Sequence, residues 1–354
     1  MILLNPGPVN VSPRVRAALG RADLCHREPE YGELQRSIRG RLLDAFAPDR
    51  GFTSVLITGS GTASLEAAVT SVLSDRGRLV VVANGVYGER IAAMAAAARL
   101  PHTAVAGPWT EPPDLDAIER ALRAPDVEAV AVVHHETTTG LMNPVAAVAR
   151  LARAHGKLVL VDSVSGLGGD TLVVEDLDLV VGTGGKCVQA FPGLGFVLAR
   201  RDVMARLASH PRRSLYLSLP VHHEAQERDT VPFTPAVQLA YALDEALAEL
   251  LEEGVPNRIR RYGAAAALLR AGFERLGLRC VLPAERRSNS ITSLWLPEGQ
   301  TYARLHDRLK ARGFVIYEGQ GRLAAEIFRV ANMGHLGASD FEAFLDALGT
   351  VLAG

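Results

Sequence analysis

The feature that most constrains the fold is a regular alternation of short apolar runs and amphipathic stretches between Phe52 and Arg201. The apolar runs are rich in Val and Leu, which is typical of strands buried on both faces of a parallel sheet. They fall at Ser54–Thr58, Leu79–Ala83, Val127–His134, Lys157–Asp162, Leu177–Gly182 and Gly195–Ala199. Helical patterns lie between them, at Thr62–Leu73, Gly88–Arg99, Asp114–Arg123 and Pro144–His155. The alternation predicts an α/β fold with a doubly wound, mostly parallel sheet.

The pattern changes after Arg201. The segment from His210 to Val231 contains two prolines and a charged run, which predicts an irregular region. Further helical patterns and short strands follow, at Thr234–Glu253, Gly263–Leu276, Ile291–Leu296, Thr301–Arg312 and Phe328–Ala331. We therefore expect an N-terminal arm over residues 1–15, a large domain over 16–250 and a smaller α+β domain over 251–354.

Composition restricts the possible partners. The 354 residues carry 38 basic and 39 acidic side chains, and only 5% are aromatic, so we expect no nucleic-acid partner. No apolar run reaches the roughly 18–20 residues that cross a bilayer, and the first residues lack a charged leader. We expect a cytoplasmic protein with no membrane partner. Cys25, Cys187 and Cys280 are too few and too dispersed for a disulfide framework or a zinc site.

Three motifs that could carry chemistry each follow a predicted strand. Gly59-Ser60-Gly61-Thr62 stands before a helix, where free N–H groups, hydroxyls and the helix dipole suit a phosphate. Asp162 ends an apolar run, and Lys186 lies in the glycine-rich segment Gly182–Cys187. Desolvation lowers the pKa of a lysine and frees its amine as a nucleophile or base. Taken singly, the first two motifs are equally consistent with a helix-capping turn and a turn aspartate. Most lysines are solvated, but one between a strand end and a loop rich in Gly and Pro is more typical of a site.

The combination of the three motifs is more specific than each motif alone. Asp162 and Lys186 are 24 residues apart, about one β-α-β step, and all three motifs fall at carboxyl ends of strands, where α/β sheets bind ligands. A pyridoxal phosphate enzyme requires a lysine for the cofactor aldehyde, an acid for the pyridine nitrogen and a phosphate cradle. The sequence therefore predicts a pyridoxal 5'-phosphate site at this edge.

The chain resembles the class V aminotransferases of the fold-type-I pyridoxal phosphate family. The matching segments span almost the whole chain and are Asn5-Pro6-Gly7-Pro8, Gly59–Thr62, Asn84–Arg90, His135–Gly140, Val161–Ser163, Lys186-Cys187, Pro192-Gly193, Phe233–Pro235, Gly313–Tyr317 and Phe328–Val330. Within the family, the chain is most similar to members that move the amino group of 2-aminoethylphosphonate to pyruvate, giving phosphonoacetaldehyde and alanine. The resemblance implies a large domain with a mostly parallel seven-stranded sheet and a smaller C-terminal α+β domain. It also implies a homodimer with shared active sites that takes a small amine donor and a 2-oxo acid acceptor.

The resemblance implies four contacts with the cofactor ring. Lys186 would bind the cofactor covalently and shuttle a proton, and Asp162 would pair with the pyridinium. Tyr87 would stack on the ring face, because an aromatic face fixes a flat heteroaromatic ring. Thr138 would be the hydroxyl partner of the ring oxygen. A partly buried core tyrosine is the alternative interpretation of Tyr87.

The resemblance also implies contacts with the two anionic groups. Ser60, Gly61 and Thr62 would hold the cofactor phosphate, joined by Thr234 from the neighbouring subunit. Arg329 would clamp the acidic group of the substrate, because a guanidinium matches a carboxylate or phosphonate bidentately. The alternatives are a helix N-cap for Thr234 and a surface ion pair for Arg329.

Two segments depart from the phosphonate pattern. Cys25–Tyr31 is more similar to alanine– or serine–glyoxylate aminotransferases, and Tyr317–Arg322 lacks the Pro-Gly-Lys run that usually follows the tyrosine. Glu318 would add negative charge if it points inward, whereas Arg27 and Arg322 could supply a second cation. A glyoxylate-type aminotransferase is therefore an alternative function.

Three further alternatives carry less weight. The pairs His134-His135 and His222-His223 lack H-E-x-x-H spacing, so we predict no metal site. A pyridoxal phosphate-dependent lyase or desulfurase is possible, but a desulfurase needs a mobile reactive cysteine, and neither Cys187 nor Cys280 is suitably placed. A non-catalytic family member would not be expected to keep the lysine, the aspartate and the arginine named above.

Overall fold

The computed structural model describes residues 1–49 and 51–353. Its strands are β1 (Ile2–Leu3), β2 (Phe52–Thr58), β3 (Arg78–Ala83), β4 (His102–Ala106), β5 (Val127–Val133), β6 (His135–Glu136), β7 (Leu141–Met142), β8 (Leu158–Asp162), β9 (Leu179–Thr183), β10 (Leu194–Arg200), β11 (Ile291–Trp295), β12 (Phe314–Val315), β13 (Tyr317–Glu318) and β14 (Ile327–Ala331). Its α-helices are α1 (Pro13–Ala18), α2 (Pro29–Phe46), α3 (Gly61–Ser71), α4 (Val86–Ala97), α5 (Leu115–Leu122), α6 (Val145–Ala154), α7 (Arg201–Leu207), α8 (Leu219–Gln226), α9 (Val237–Glu253), α10 (Val255–Arg275), α11 (Tyr302–Lys310) and α12 (Ala338–Ala353).

The main sheet has seven strands in the order β2-β10-β9-β8-β5-β3-β4. Strands β4, β3, β5, β8 and β9 run parallel to one another, and β10 is antiparallel to both β9 and β2. Because β2 and β9 are both antiparallel to β10, they run in the same direction. The carboxyl ends of six strands therefore meet at one edge, and the predicted mostly parallel seven-stranded sheet is confirmed.

Successive residues of the central strands point into two different cores. In β3, Val80 and Val82 pack with helices α2, α5, α6 and α9, whereas Leu79 and Val81 pack with α3, α4, α7 and α8. Burial on both faces explains why these strands read as continuous apolar runs. The edge strand β4 was not predicted because most of its side chains are exposed or half-buried and form no apolar run.

A second, antiparallel sheet of order β11-β14-β13 packs with α10, α11 and α12 around its own core. That core includes Phe273, Phe328 and Phe344, and also Leu4 from the start of the chain. Strand β1 pairs in parallel with β12, which joins the first residues to the C-terminal part. The domain boundaries after residues 15 and 250 stay predictions.

Three local predictions were wrong. The expected irregular region contains α8, whose first turn accepts Pro220 because N–H groups there have no intrahelical acceptor. Helix α9 begins at Val237 with Ala236 as N-cap, so the N-cap interpretation of Thr234 is wrong. Helix α10 begins at Val255, well before the predicted start at Gly263. Its first turns form no apolar pattern, because they are mostly polar and bury the charged Arg258.

Within the described part of the chain, no helix is both long and apolar enough to cross a membrane. Residues 1–49 and 51–353 also contain no cluster of three His, Cys, Asp or Glu side chains that could hold a metal ion.

Candidate active site

The N-terminus of α3 follows the carboxyl end of β2 and presents unpaired backbone donors. Within the described residues, the amide groups of Gly61 and Thr62 make no hydrogen bond to the protein, and Ser60 is exposed without capping the helix. A Cβ on Gly61 would lie 2.7 Å from Cγ1 of Val164, so a side chain does not fit at this turn. Arg90 Nη1 is 3.5 Å from Thr62 Oγ1. Free amides, the helix dipole and a guanidinium together favour an anion here.

Asp162 ends β8 at the same edge and is buried. Its Oδ1 accepts a hydrogen bond from the Val164 amide at 3.0 Å, the only one its carboxylate accepts within residues 1–49 and 51–353. Burial raises the pKa of Asp162 to about 6, although the nearby charges of Arg90 and Lys186 lower it. The carboxylate thus has acceptor capacity left for a further donor.

Lys186 lies three residues after the end of β9 and is half-buried. Its Nζ donates to the Pro6 carbonyl, so the N-terminal arm lies against the lysine. No carboxylate of the described residues forms an ion pair with this amine. Burial lowers the pKa of Lys186, Arg329 acts in the same direction and Asp162 opposes it. A lysine in these surroundings is suited to nucleophilic or base chemistry.

Tyr87 lies in the first turn of α4, and its ring is half-buried. The guanidinium carbon of Arg90, one helical turn later, is 4.7 Å from the ring centroid. Thr138 lies beside this turn: its hydroxyl accepts from the Val86 amide at 3.1 Å and donates to Glu136 Oε2 at 3.1 Å. The first turn of α4 thus brings the tyrosine, the arginine and the threonine together.

Arg329 on β14 is a fully buried guanidinium, with 0% of its surface exposed. Its Nε donates to the Glu318 carbonyl at 2.8 Å, and its Nη1 donates to the Thr137 carbonyl at 2.7 Å and to Gln320 Oε1 at 3.1 Å. Its Nη2 has no hydrogen-bond partner among the described residues. Burial lowers the pKa of Arg329, while Tyr87, Tyr317 and Glu318 raise it.

No carboxylate of the described residues pairs with Arg329, so the surface ion-pair interpretation is wrong. Burying a charge without a counter-charge is costly. The free Nη2 group and the missing counter-charge therefore favour an anionic ligand at this position.

The structure does not bring the other singled-out residues to these groups. Thr234 is exposed and its side chain makes no hydrogen bond within the described residues. Arg27 is exposed, and the Arg322 guanidinium stacks 4.2 Å from the Trp109 ring centroid. The Glu318 side chain is exposed, and its carbonyl rather than its carboxylate meets Arg329.

The cysteine next to Lys186 is not a reactive thiol. Burial raises the pKa of Cys187 to about 12, and its Sγ lies 3.4 Å from the Ser165 carbonyl. Cys280 is half-buried, and Cys25 is exposed on a loop. A reactive thiol needs a lowered pKa, and the buried Cys187 has the opposite.

Sequence reasoning assigned no role to Arg90, Glu136 and Gln320. The spacing of Arg90 could have indicated its position, because it follows Tyr87 by three residues and residues three apart on a helix share a face. Glu136 and Gln320 act through partners that only the folded chain brings near them. The sequence pattern gave no comparable signal for either.

Comparison with known proteins agrees with this geometry. The aminotransferase class-V family model matches residues 49–331. The 2-aminoethylphosphonate–pyruvate transaminase of Vibrio cholerae is 38% identical, over 98% of this chain and 96% of that protein.

Solved structures give the same result. The aspartate aminotransferase of subgroup IV from Thermus thermophilus superposes with a TM-score of 0.92 at 30% identity, covering 100% of this chain and 99% of the other. The alanine–glyoxylate aminotransferase of Nostoc sp. has a TM-score of 0.92 at 26% identity, covering 99% and 95%. The expected fold-type-I architecture is confirmed. The chain is therefore a transaminase and belongs to the class-V aminotransferase family.

Proposed function

We propose that the carboxyl edge of the large sheet binds pyridoxal 5'-phosphate, with Lys186 as the covalent attachment point. The residues present fit this group. Asp162 offers a buried carboxylate with spare acceptor capacity for a pyridinium N–H, and the amides of Gly61 and Thr62 are open to a phosphate. Lys186 has a lowered pKa and no carboxylate partner among the described residues. These unpaired groups at one edge are the observation that carries the assignment.

When bound, the cofactor would act as an electron sink for the substrate carbon that bears nitrogen. Lys186 Nζ would move the proton at that carbon, and Asp162 would keep the ring nitrogen protonated. Tyr87 would cover one face of the ring. The Thr138 hydroxyl donates its proton to Glu136, so its second lone pair would accept a hydrogen bond from the O–H group on the cofactor ring.

The phosphate site would be completed by a second copy of the chain. Ser60, Gly61 and Thr62 would hold the phosphate, and Thr234 would reach it from the neighbouring subunit. The exposure of Thr234 supports this arrangement, since the side chain is free to meet a partner. We propose a cytoplasmic homodimer with shared active sites.

We propose further that the enzyme moves the amino group of 2-aminoethylphosphonate to pyruvate, giving phosphonoacetaldehyde and alanine. Arg329 would bind the acidic group of the donor and then of the acceptor, because its unpaired Nη2 and the absence of a counter-charge in the described residues suit an anion. Full-length similarity to 2-aminoethylphosphonate–pyruvate transaminase supports this donor.

An amine-donor panel tests the substrate assignment. The purified protein, loaded with pyridoxal phosphate, is given 2-aminoethylphosphonate, alanine or serine, with pyruvate or glyoxylate as acceptor. We follow the loss of the cofactor absorption band with each donor, and the formation of the product amino acid, which is alanine from pyruvate and glycine from glyoxylate. We expect turnover with 2-aminoethylphosphonate and pyruvate. Turnover of alanine or serine with glyoxylate, and none with the phosphonate, would assign the chain to the glyoxylate type.

The same panel separates two other activities. Release of ammonia or sulfide from an amino acid without a keto acceptor would indicate a lyase or a desulfurase. Failure of the protein to bind the cofactor at all would indicate a non-catalytic member of the family.

A further inference from the structure

A buried carboxylate without an assigned role holds the start of α4. Glu136 lies in β6, just after the carboxyl end of β5, and is fully buried. Its Oε1 accepts from the Gly88 amide at 2.7 Å, and its Oε2 accepts from the Tyr87 amide at 3.4 Å. The first amides of a helix have no intrahelical acceptor, so this side chain supplies one.

The hydroxyl of Thr138 completes the arrangement. It accepts from the Val86 amide and donates to Glu136 Oε2, both at 3.1 Å. Three consecutive amides of α4 are thus bound by two side chains, one from the end of β6 and one from the turn between β6 and β7. A negative charge at a helix N-terminus is also favoured by the helix dipole.

The chain leaves room for this carboxylate by having glycine at position 85. A Cβ on Gly85 would lie 2.3 Å from Cδ of Glu136 and 2.4 Å from its Oε2. Burial raises the pKa of Glu136 to about 7, with the nearby Asp162 acting in the same direction and the hydrogen bonds to α4 and Thr138 opposing it. The hydrogen bonds of this carboxylate to the Tyr87 amide and the Thr138 hydroxyl place it beside two residues of the proposed cofactor site.

We propose that Glu136 is a positioning residue of the active site, which with Thr138 fixes the first turn of α4. That turn carries the Tyr87 ring, and the next residues of the helix carry Arg90 beside Thr62. Loosening the turn would displace both the ring cover and the cation at the phosphate site. The inference rests on the proposed function for the identity of the ring. The hydrogen bonds of Glu136 and Thr138 to α4 are independent of that function.

The variant Glu136→Gln tests this role. A carboxamide presents an NH2 group where the carboxylate accepts, so it opposes either an amide of α4 or the Thr138 hydroxyl. Glu128→Gln is the matched control: Glu128 lies on β5, the strand that precedes β6, where it accepts from the Ser74 amide at 2.8 Å and from Ser74 Oγ at 2.5 Å. It lies at the opposite, amino end of the strand, away from the proposed site.

Two measurements are made on each variant. Hydrogen exchange of the cofactor-free protein should be at least about tenfold faster at the amides of residues 86–88 in Glu136→Gln, and unchanged there in Glu128→Gln. After addition of pyridoxal phosphate, Glu136→Gln should bind about tenfold more weakly, with a reduced visible circular-dichroism signal per bound cofactor. Unchanged exchange, or wild-type affinity and dichroism, would overturn the inference.

A second pair of variants covers the case in which Glu136→Gln does not fold. Thr138→Val removes the hydroxyl and should accelerate exchange at the same amides, whereas Thr138→Ser keeps the hydroxyl and should restore protection. Equal exchange at these amides in the two variants would contradict the proposed role of Glu136 and Thr138. Failure of the wild-type protein to bind pyridoxal phosphate would instead contradict the proposed function.

Discussion

Arg329 Nη1 donates to the carbonyl oxygen of Thr137 at 2.7 Å, across a separation of 192 residues. Arg329 belongs to the small antiparallel sheet, and Thr137 follows β6 at the edge of the large sheet. The bond ties the guanidinium to the backbone next to Thr138 and Glu136. The position of the proposed anion clamp is thus set relative to the proposed cofactor site, with Nη2 left free.

Replacing Arg329 by lysine should mainly weaken substrate binding. Lysine keeps the charge but lacks the planar fork, and loss of a charge-assisted hydrogen bond costs roughly 1.5–3 kcal/mol. We expect the KM for the amine donor to rise about 10–100-fold, with the cofactor absorption unchanged. Arg270→Lys is the control, because Arg270 also donates to backbone carbonyls, at Ser288 and Ile291. An equal rise of KM in both variants would contradict the binding of the substrate's acidic group by Arg329.

Replacing Lys186 by alanine should abolish covalent attachment of the cofactor. The chain has only three lysines, Lys157, Lys186 and Lys310, so borohydride reduction followed by peptide mass analysis assigns the attachment without ambiguity. We expect the added mass on the peptide that contains Lys186, and turnover at least about 10²–10⁴-fold lower in the variant. Lys157→Ala should keep both properties. Normal turnover of Lys186→Ala would refute the assigned chemistry.

Cofactor affinity should decrease as the pH falls through about 6. Burial raises the pKa of Asp162 to about 6, so below that pH the carboxyl is neutral and cannot stabilise a protonated ring nitrogen. Titrations with pyridoxal phosphate from pH 5 to 8 measure this. Asp162→Asn should bind about 10–100-fold more weakly at pH 7.5 and approach the wild-type affinity at pH 5. Glu136, with a pKa of about 7, is present in both proteins and titrates in the same range. The informative quantity is therefore the ratio of the wild-type affinity to the Asp162→Asn affinity at each pH. A ratio independent of pH would contradict the prediction.

The buried His134 should make the protein sensitive to acid. Burial lowers the pKa of His134 from 6.5 to about 4, so between these values the unfolded chain binds more protons than the folded one. The free energy of unfolding therefore falls as the pH decreases from 6.5 to 4, by about 3 kcal/mol for this residue at most. In urea unfolding of the cofactor-free protein, His134→Asn should lose less stability over this range than wild type. Parallel curves for the variant and the wild type would exclude the effect.

The amino-acid sequence by itself determined the main sheet and one edge of the site. Strands buried on both faces must be apolar at every position, so β2, β3, β5, β8, β9 and β10 could be located from local composition. Because parallel strands end at one edge, the order of the motifs placed Ser60, Asp162 and Lys186 on the same side. The edge strand β4 escaped prediction because it lacks that constraint.

Only the tertiary structure decided which distant groups meet at the edge. Local periodicity encodes burial but not the partner across 192 residues, so the contact of Arg329 with Thr137 could not be read from either segment. The same holds for Pro6 against Lys186, and for the fit of Glu136 beside Gly85. In each case a polar side chain lies against a residue that is distant in the chain. The packing of the two sheets and the N-terminal arm decides which residue that is, and neighbouring residues in the chain do not.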